Sequence, residues 1–192
     1  MPQQRGSRSR LTAADWAEAA LDAMREGGGL AAIAIEPLAS RLGATKGSFY
    51  WHFPNREALI EAALARWVER RVAEITANGP SEDPVARLRA LFQRTVDEAA
   101  EDPTELALLA QADHPQVAAA LRRVTARRMD CLTELFRALG LPEADARRRG
   151  VQAYCGYLGR AQLTRAVPEV LPQGDEERRR YVDSVIASLT AR

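Results

Sequence analysis

Apolar side chains recur along the chain every three to four positions, the spacing of one face of an α-helix. These repeats end mostly at glycine or proline, which interrupt helices. They predict nine helical segments, at residues 11–25, 36–42, 45–53, 55–77, 84–101, 103–110, 115–139, 143–166 and 175–191. No segment convincingly predicts a β-strand. The pattern therefore predicts an all-α fold of about nine helices.

The composition is compatible with this fold and indicates a soluble protein. Hydrophobic residues make up 46% of the 192 residues and charged residues 28%, a balance typical of a soluble globular chain. The first ten residues are polar and basic, unlike a signal peptide, and the longest apolar run, 30–35, is too short to span a bilayer. We therefore expect a cytoplasmic protein without membrane contact. The formal net charge is only +1, so any attraction to nucleic acid must be local.

No pattern of catalytic or metal-ligating residues is present. The chain has two histidines and lacks a Ser/His/Asp or Cys/His constellation, a phosphate loop and a dinucleotide fingerprint. His114 lies between Asp113 and Pro115, a sequence typical of the start of a helix. Cys131 and Cys155 are isolated within helical segments, which predicts two buried thiols, with a redox switch as the alternative. We expect no enzyme, no cofactor and no metal.

The most informative stretch is 38–53, where Gly43 separates two short helical segments as in a helix-turn-helix. In the second segment, Phe49 and Phe53 share one face and are expected to pack on Leu38 and Leu42. The opposite face then carries three residues, namely Gly47, Tyr50 and Trp51. Large aromatic side chains facing outward from a short helix indicate a contact surface, and a helix of this kind fits the major groove of DNA.

Positive charge and hydrogen-bond donors accompany that face. Lys46, the only lysine, lies in the first turn of its helix, where a cation is disfavoured unless an anion such as a phosphate joins it. Further candidate phosphate donors are Thr45, Ser48, His52 and Arg56. Arg5, Arg8 and Arg10 form a basic arm that is expected to follow the DNA backbone or enter a minor groove.

Three stretches, AALDAM, LASRLGATKGSFYWHFPN and REALIEA, together resemble the DNA-binding domain of the Tet repressor family. The spacing of Gly43, Gly47, Tyr50 and Phe53 is close to the family's. The resemblance implies DNA contacts by Thr45, Lys46, Gly47, Tyr50, Trp51, His52 and Arg56. Two positions depart from the family. Ala34 stands where Ser or Thr usually caps the second helix, and Arg56 replaces the commoner lysine.

The resemblance also implies a layout for the whole chain: a DNA-binding domain at 1–54 and an effector-binding and dimerisation domain at 55–192. In the family the last two helices of each subunit form a four-helix dimer interface, which here gives Gly156, Tyr157, Gly159, Val182, Val185, Ile186 and Leu189. Candidate effector-pocket residues are Trp67, Phe92, Leu106, Leu109, Phe136, Gln152, Tyr154 and Gln162. For both sets, ordinary core packing is the alternative.

The implied function is a dimeric repressor that binds operator DNA and is released by a small-molecule effector. An all-α enzyme or small-molecule carrier is the competing hypothesis. Activation, architectural DNA binding or control by a partner protein also remains open.

Overall fold

The computed structural model describes residues 11–77, 83–98 and 102–191, and over these ranges it contains nine α-helices and no strand. The helices are α1 (Ala13–Ala23), α2 (Ile35–Arg41), α3 (Lys46–Phe49), α4 (Arg56–Thr76), α5 (Pro84–Glu98), α6 (Thr104–Leu109), α7 (Pro115–Ala138), α8 (Glu143–Ala166) and α9 (Gly174–Thr190). The predicted all-α fold is confirmed. No described helix has both the length and the apolar composition needed to cross a membrane.

The predicted helix bounds hold to within a few residues except in α3. That helix ends at Phe49 rather than at Phe53, and residues 50–52 continue as turns. In these turns the backbone N–H of His52 donates to the Phe49 carbonyl at 2.9 Å, an i to i−3 bond. Pro54 gives the reason, because a proline disfavours helical backbone at the residue before it and so tightens the end of the helix.

The N-terminal caps of α1 and α2 are those that the sequence predicts. Thr12 caps α1 in a capping box, in which its hydroxyl accepts from the Asp15 N–H and its own N–H donates to the Asp15 carboxylate at 2.7 Å. The Thr12 N–H, and then the Thr12 hydroxyl, which also donates to the Asp15 carboxylate at 2.7 Å, hold the pKa of Asp15 below its usual value. Ala34 precedes α2 without any side-chain cap, as predicted.

The chain divides into two compact units, an N-terminal unit of residues 1–66 and a C-terminal unit of residues 67–192. The division falls inside α4, which begins with Asn55 accepting a hydrogen bond from the Ala58 N–H at 2.9 Å. The predicted domain boundary, between residues 54 and 55, remains a prediction. The largest fully buried side chains of the N-terminal unit include Trp16, Leu38 and Phe49.

Gly43 sets the turn between α2 and α3. Its φ of +62° lies in the left-handed region, where glycine carries no steric penalty. The Gly43 N–H donates to the Ser40 carbonyl and the Ala44 N–H to the Ala39 carbonyl, at 3.1 and 2.8 Å, which is the Schellman pattern for ending a helix. The turn therefore ends α2 and directs the chain into α3.

The C-terminal unit has its own hydrophobic core, drawn from α5, α7, α8 and α9. Its buried members include Leu88, Leu132, Leu135, Phe136, Ala146, Val182, Ile186 and Leu189. Phe136, Val182, Ile186 and Leu189 are buried in this core, and their predicted roles at an effector pocket or a dimer interface stay predictions. An apolar helical stripe looks the same in either role, so the pattern alone did not separate them.

Candidate nucleic-acid interface and C-terminal cavity

An aromatic cluster fixes the inward face of α3. Phe49 is fully buried, with Trp16 edge-on at a centroid distance of 5.4 Å and Phe53 stacked at 5.7 Å. Aromatic pairs at these distances stabilise a core beyond the area they bury. The predicted packing of Phe49 and Phe53 on one face is confirmed.

The outward face carries the side chains that the sequence singled out. Trp51 is 81% exposed and Tyr50 52% exposed, both large hydrophobic side chains standing in water. Gly47 lies between them and the start of α3, and a Cβ added there would meet only the Thr45 hydroxyl at 3.7 Å, an ordinary contact. No neighbour in the described chain requires a glycine at this position, so the space it leaves is available to an external surface.

Thr45 and Ser48 differ in what their hydroxyls do. Thr45 caps α3, with its Oγ1 accepting from the Ser48 N–H at 3.1 Å, as predicted. The Ser48 hydroxyl is buried and has no hydrogen-bond partner within the part of the chain that the structure describes. The predicted contact of Ser48 with DNA therefore needs its side chain to rotate outward. His52 is half-buried.

Lys46 is paired within the protein. Its Nζ lies 2.5 Å from Oε1 of Glu36 in α2, and the two side chains are 55% and 65% exposed. The shared hydrogen bond raises the pKa of Lys46 and lowers the pKa of Glu36. The sequence argument expected an external anion to offset the lysine at this position, but in the free protein Glu36 supplies it.

Arg56 is tied to backbone of the same unit. Its Nε donates to the Ile33 carbonyl at 2.6 Å and its Nη2 to the Leu30 carbonyl at 2.5 Å. These bonds anchor the start of α4 to the segment that precedes α2, so Arg56 has a structural task beside its predicted phosphate contact. Arg5, Arg8 and Arg10 lie outside the described residues.

A buried polar cluster joins three helices of the C-terminal unit. Glu105 of α6 is 2% exposed, and both of its carboxylate oxygens accept from Arg128 of α7, at 2.6 and 3.1 Å. Tyr154 and Tyr157 of α8 donate their hydroxyls to the same carboxylate, at 2.9 and 3.2 Å. The Arg128 guanidinium also lies over both tyrosine rings, at 4.7 and 5.1 Å from their centroids. Sequence reasoning missed Glu105 and Arg128, although an acidic residue in the otherwise apolar TELALL segment was a signal.

The charges of this cluster depend on one another. Burial alone would raise the pKa of Glu105, but the charge and hydrogen bonds of Arg128, the Tyr154 hydroxyl and the charge of Arg71 together outweigh it, and the pKa lies below its usual value. Burial, and then the Glu105 charge, raise the pKa of Tyr157 to about 12. Tyr157 is therefore a neutral hydroxyl that donates to an ionised carboxylate.

Beside Tyr157 the C-terminal unit contains a cavity of about 240 Å³ between α5, α8 and α9. Phe92 and Gln152 line it, as two of the predicted pocket residues, together with Tyr157, Arg160 and Tyr181. The other predicted pocket residues lie elsewhere. Trp67 and Phe136 are buried, Leu106 and Leu109 are half-buried, Gln162 is exposed, and Tyr154 belongs to the polar cluster.

One face of α8 is exposed and built from small side chains. A Cβ added at Gly156 or Gly159 would meet no atom within 4 Å, so neither glycine is needed for packing inside the subunit. Val151 and Cys155 share this exposure. The prediction that both thiols are buried is wrong for Cys155, and Cys131 is half-buried. Because the side chains on this face are small and exposed to solvent, another helix could approach α8 closely.

Residues 18–63 match the sequence pattern of bacterial regulatory proteins of the tetR family. The match spans α1 to α4 and includes the whole of the α2–Gly43–α3 arrangement described above. This stretch of the chain is therefore similar to the tetR family. This family consists of regulatory proteins rather than enzymes, as the sequence predicted. None of the curated protein sequences compared with the chain matches it.

Solved structures show a similar fold over nearly the whole chain. A transcriptional regulator from Rhodococcus sp. Rha1 superposes with a TM-score of 0.75 at 21% identity, over 93% of this chain and 96% of that one. The TetR protein SCO7222 from Streptomyces coelicolor gives 0.59 at 21% identity, over 94% and 98%. FadR from Bacillus subtilis, in complex with stearoyl-CoA, gives 0.57 at 17% identity, over 92% and 97%.

Proposed function

We propose that this chain is a dimeric repressor of the tetR family that binds an operator through α3 and leaves it when a small molecule occupies the C-terminal unit. The observation that carries the DNA-binding part is the outward surface formed by α3 and the turns at residues 50–52. Trp51 and Tyr50 are exposed there, Gly47 leaves space between them and the start of the helix, and Lys46 is at the same edge.

These residues suit a duplex in complementary ways. The Tyr50 hydroxyl can donate to a phosphate, and the Trp51 ring can contact a sugar or a thymine methyl group. Gly47 permits close approach of the backbone to the groove. A protein surface without a partner has little reason to expose two neighbouring aromatic rings.

A second copy of the chain is the proposed occupant of the exposed α8 face. Gly156 and Gly159 allow a partner helix to come close, and Val185 of α9 remains only partly buried within the subunit. Gly156 and Val185 also line the cavity between α5, α8 and α9, so the partner helix would border that cavity. Two copies related by a twofold axis would present their α3 segments to major grooves about one helical turn, ~34 Å, apart on the DNA. A palindromic operator follows from this symmetry.

The cavity beside Tyr157 is the proposed effector site. Its volume of about 240 Å³ is smaller than the pockets that hold drug-sized ligands, ~300–1,000 Å³, and this favours a small effector. The neighbour in complex with stearoyl-CoA supports a ligand role for this fold, while the effector of this chain is proposed to be much smaller.

The test of DNA binding is a selection of duplexes from a random library with the purified chain. We expect a palindromic sequence to be recovered, and we expect Tyr50→Ala and Trp51→Ala each to weaken binding to it by about tenfold or more. Val170→Ala, at a side chain 61% exposed in the C-terminal unit, is the matched control and should bind as the unchanged chain does. Equal binding by all variants would refute the proposed interface.

The test of release uses linkage between the two ligands. An effector that lowers operator affinity by a given factor must itself bind the operator complex more weakly by the same factor. Compounds that bind the purified chain are therefore measured with and without saturating operator. Effector affinity that does not change with operator present would refute the release mechanism.

A further inference from the structure

The described part of the N-terminal unit carries more negative than positive charge. Between residues 11 and 66 the sequence has seven acidic and five basic side chains. DNA carries one negative charge per ~1.7 Å of its axis, and phosphate contacts supply most of the affinity of proteins for non-specific DNA. The first ten residues of the same unit add Arg5, Arg8 and Arg10, which lie outside the described residues. Each described cation contributes to DNA affinity only if it can be presented to a phosphate.

Each of the five cations already has a partner inside the unit. The strongest contacts are Arg41 with Glu26 at 2.8 Å, Arg66 with Glu18 at 2.9 Å, and Lys46 with Glu36 at 2.5 Å. Arg25 lies 3.9 Å from Asp22, and Arg56 donates to two backbone carbonyls. A phosphate that binds any of these groups therefore competes with a resident oxygen acceptor.

Among these pairs, the ion pair of Lys46 and Glu36 includes a residue of α3. Lys46 follows the cap residue Thr45 directly and lies one position before Gly47, whereas Glu36 comes from the start of α2. The turn at Gly43 brings these two residues together across ten positions of sequence. Glu36 thus holds the lysine nearest to the exposed aromatic residues.

We propose that DNA binding by this protein is a partner exchange, in which a backbone phosphate takes Lys46 from Glu36. Glu36 occupies the place of the phosphate in the free protein and lowers the affinity for every duplex. This inference rests on the proposed DNA-binding function and adds a residue that opposes it. Glu36 itself is not expected to contact DNA, because a carboxylate and a phosphate repel each other.

The exposure of the pair makes the exchange feasible. Both side chains are more than half exposed, so water and salt weaken their attraction and solvate each group when they separate. A buried pair such as Glu105 and Arg128 would not exchange in this way, because separation would leave a charge without water. The duplex offers Lys46 a denser array of anions than the single carboxylate does.

Glu36→Gln tests the exchange, with Glu61→Gln as the matched control because it removes the same charge from an exposed position of α4 in the same unit. We expect Glu36→Gln to raise affinity for the selected operator and for random duplex by about three- to fivefold, the range set by one exposed ion pair. Glu61→Gln should change either affinity by less than about twofold.

A double-mutant cycle separates the exchange from a general charge effect. In a Lys46→Met background the gain from Glu36→Gln should largely disappear, because there is no lysine left to release. A gain that persists in full, or a gain equal to that of Glu61→Gln, overturns the exchange. If the unchanged chain binds the operator and Glu36→Gln binds no more tightly, the exchange is overturned but the proposed DNA-binding function stands. If the chain binds no duplex at all, the proposed function is overturned as well.

Discussion

Arg128 holds the buried carboxylate of Glu105 through both of its terminal nitrogens, Nη1 to Oε1 at 2.6 Å and Nη2 to Oε2 at 3.1 Å. This forked geometry joins α6 to α7, and the hydroxyls of Tyr154 and Tyr157 join both to α8. Because α6 is only six residues long, the cluster is a principal anchor of that helix in the C-terminal unit.

Loss of the Glu105 charge should destabilise the protein strongly. Glu105→Gln leaves the largely buried Arg128 guanidinium without its anion, which costs about 3 kcal/mol of unfolding free energy. Glu143→Gln removes an equivalent charge from an exposed pair, Glu143 with Arg137 at 3.2 Å, and should cost less than about 1 kcal/mol. Denaturant unfolding measures both. Equal losses in the two variants would contradict the anchoring role.

The same cluster predicts a loss of stability in acid. Because Arg128 keeps the pKa of Glu105 below its unfolded value near 4.5, the ion pair stabilises the fold fully above that value. This stabilisation is lost as the pH falls through the lower pKa of the folded state, where the carboxylate takes up a proton. Unfolding free energy measured from pH 6 downward should therefore fall less steeply in Glu105→Gln than in the unchanged chain. Parallel curves would refute this source of acid sensitivity.

Gly47→Ala should separate folding from DNA binding. An added methyl group meets only Thr45 Oγ1 at 3.7 Å, and alanine is the better helix former, so the unfolding free energy should rise by about 0.5 kcal/mol. Affinity for the selected operator should fall, because the methyl group occupies space proposed for the duplex. Thermal unfolding and fluorescence anisotropy measure the two effects. A stabilised variant that binds the operator unchanged would show that the space at Gly47 is not used.

Arg56 has two proposed roles, a structural one and a phosphate contact, and its substitution should distinguish between them. If its bonds to the carbonyls of Leu30 and Ile33 are its task, Arg56→Met should cost about 2 kcal/mol of unfolding free energy and leave the salt dependence of DNA binding unchanged. If it also contacts a phosphate, the slope of log affinity against log salt should become shallower by about 0.9. Arg41→Met, at an exposed ion pair, is the stability control.

The α8 face predicts the oligomeric state. Gly156→Leu and Gly159→Leu have room within the subunit and should fold, but each should convert the proposed dimer to monomer, as measured by light scattering. Gly150→Ala is the contrasting variant, since its Cβ would lie 3.3 Å from Leu132 Cβ in the core. It should lower the unfolding free energy and keep the mass of the dimer. A dimer that survives both leucine variants would place the interface elsewhere.

The N-terminal unit was predictable because its signals are local. Gly43 marks the turn, and Phe49 and Phe53 mark the inner face. Tyr50 and Trp51 are exposed as predicted, although they lie in the turns that follow α3 rather than in the helix. The pairing of Lys46 with Glu36 was not predictable, since it depends on the angle at which two short helices meet.

The C-terminal unit was less predictable because its contacts join distant parts of the chain. Glu105 gathers partners from 23 to 52 positions away, and neither the Arg128 pair nor the tyrosine bonds leave a periodic trace in the sequence. Val182, Ile186 and Leu189 show the converse problem. Their stripe identifies a buried face, but it carries no information on whether the same subunit or another covers it.

The exposure of Trp51 gives the protein a natural optical probe. The chain has three tryptophans, and Trp16 and Trp67 are buried at 0% and 2% exposure, whereas Trp51 stands 81% in solvent. A collisional quencher such as iodide should therefore reach one emitter of the three. Operator binding should shield that emitter and reduce the quenching, so occupancy of the DNA can be followed in solution without a label, and Trp51→Phe supplies the silent reference.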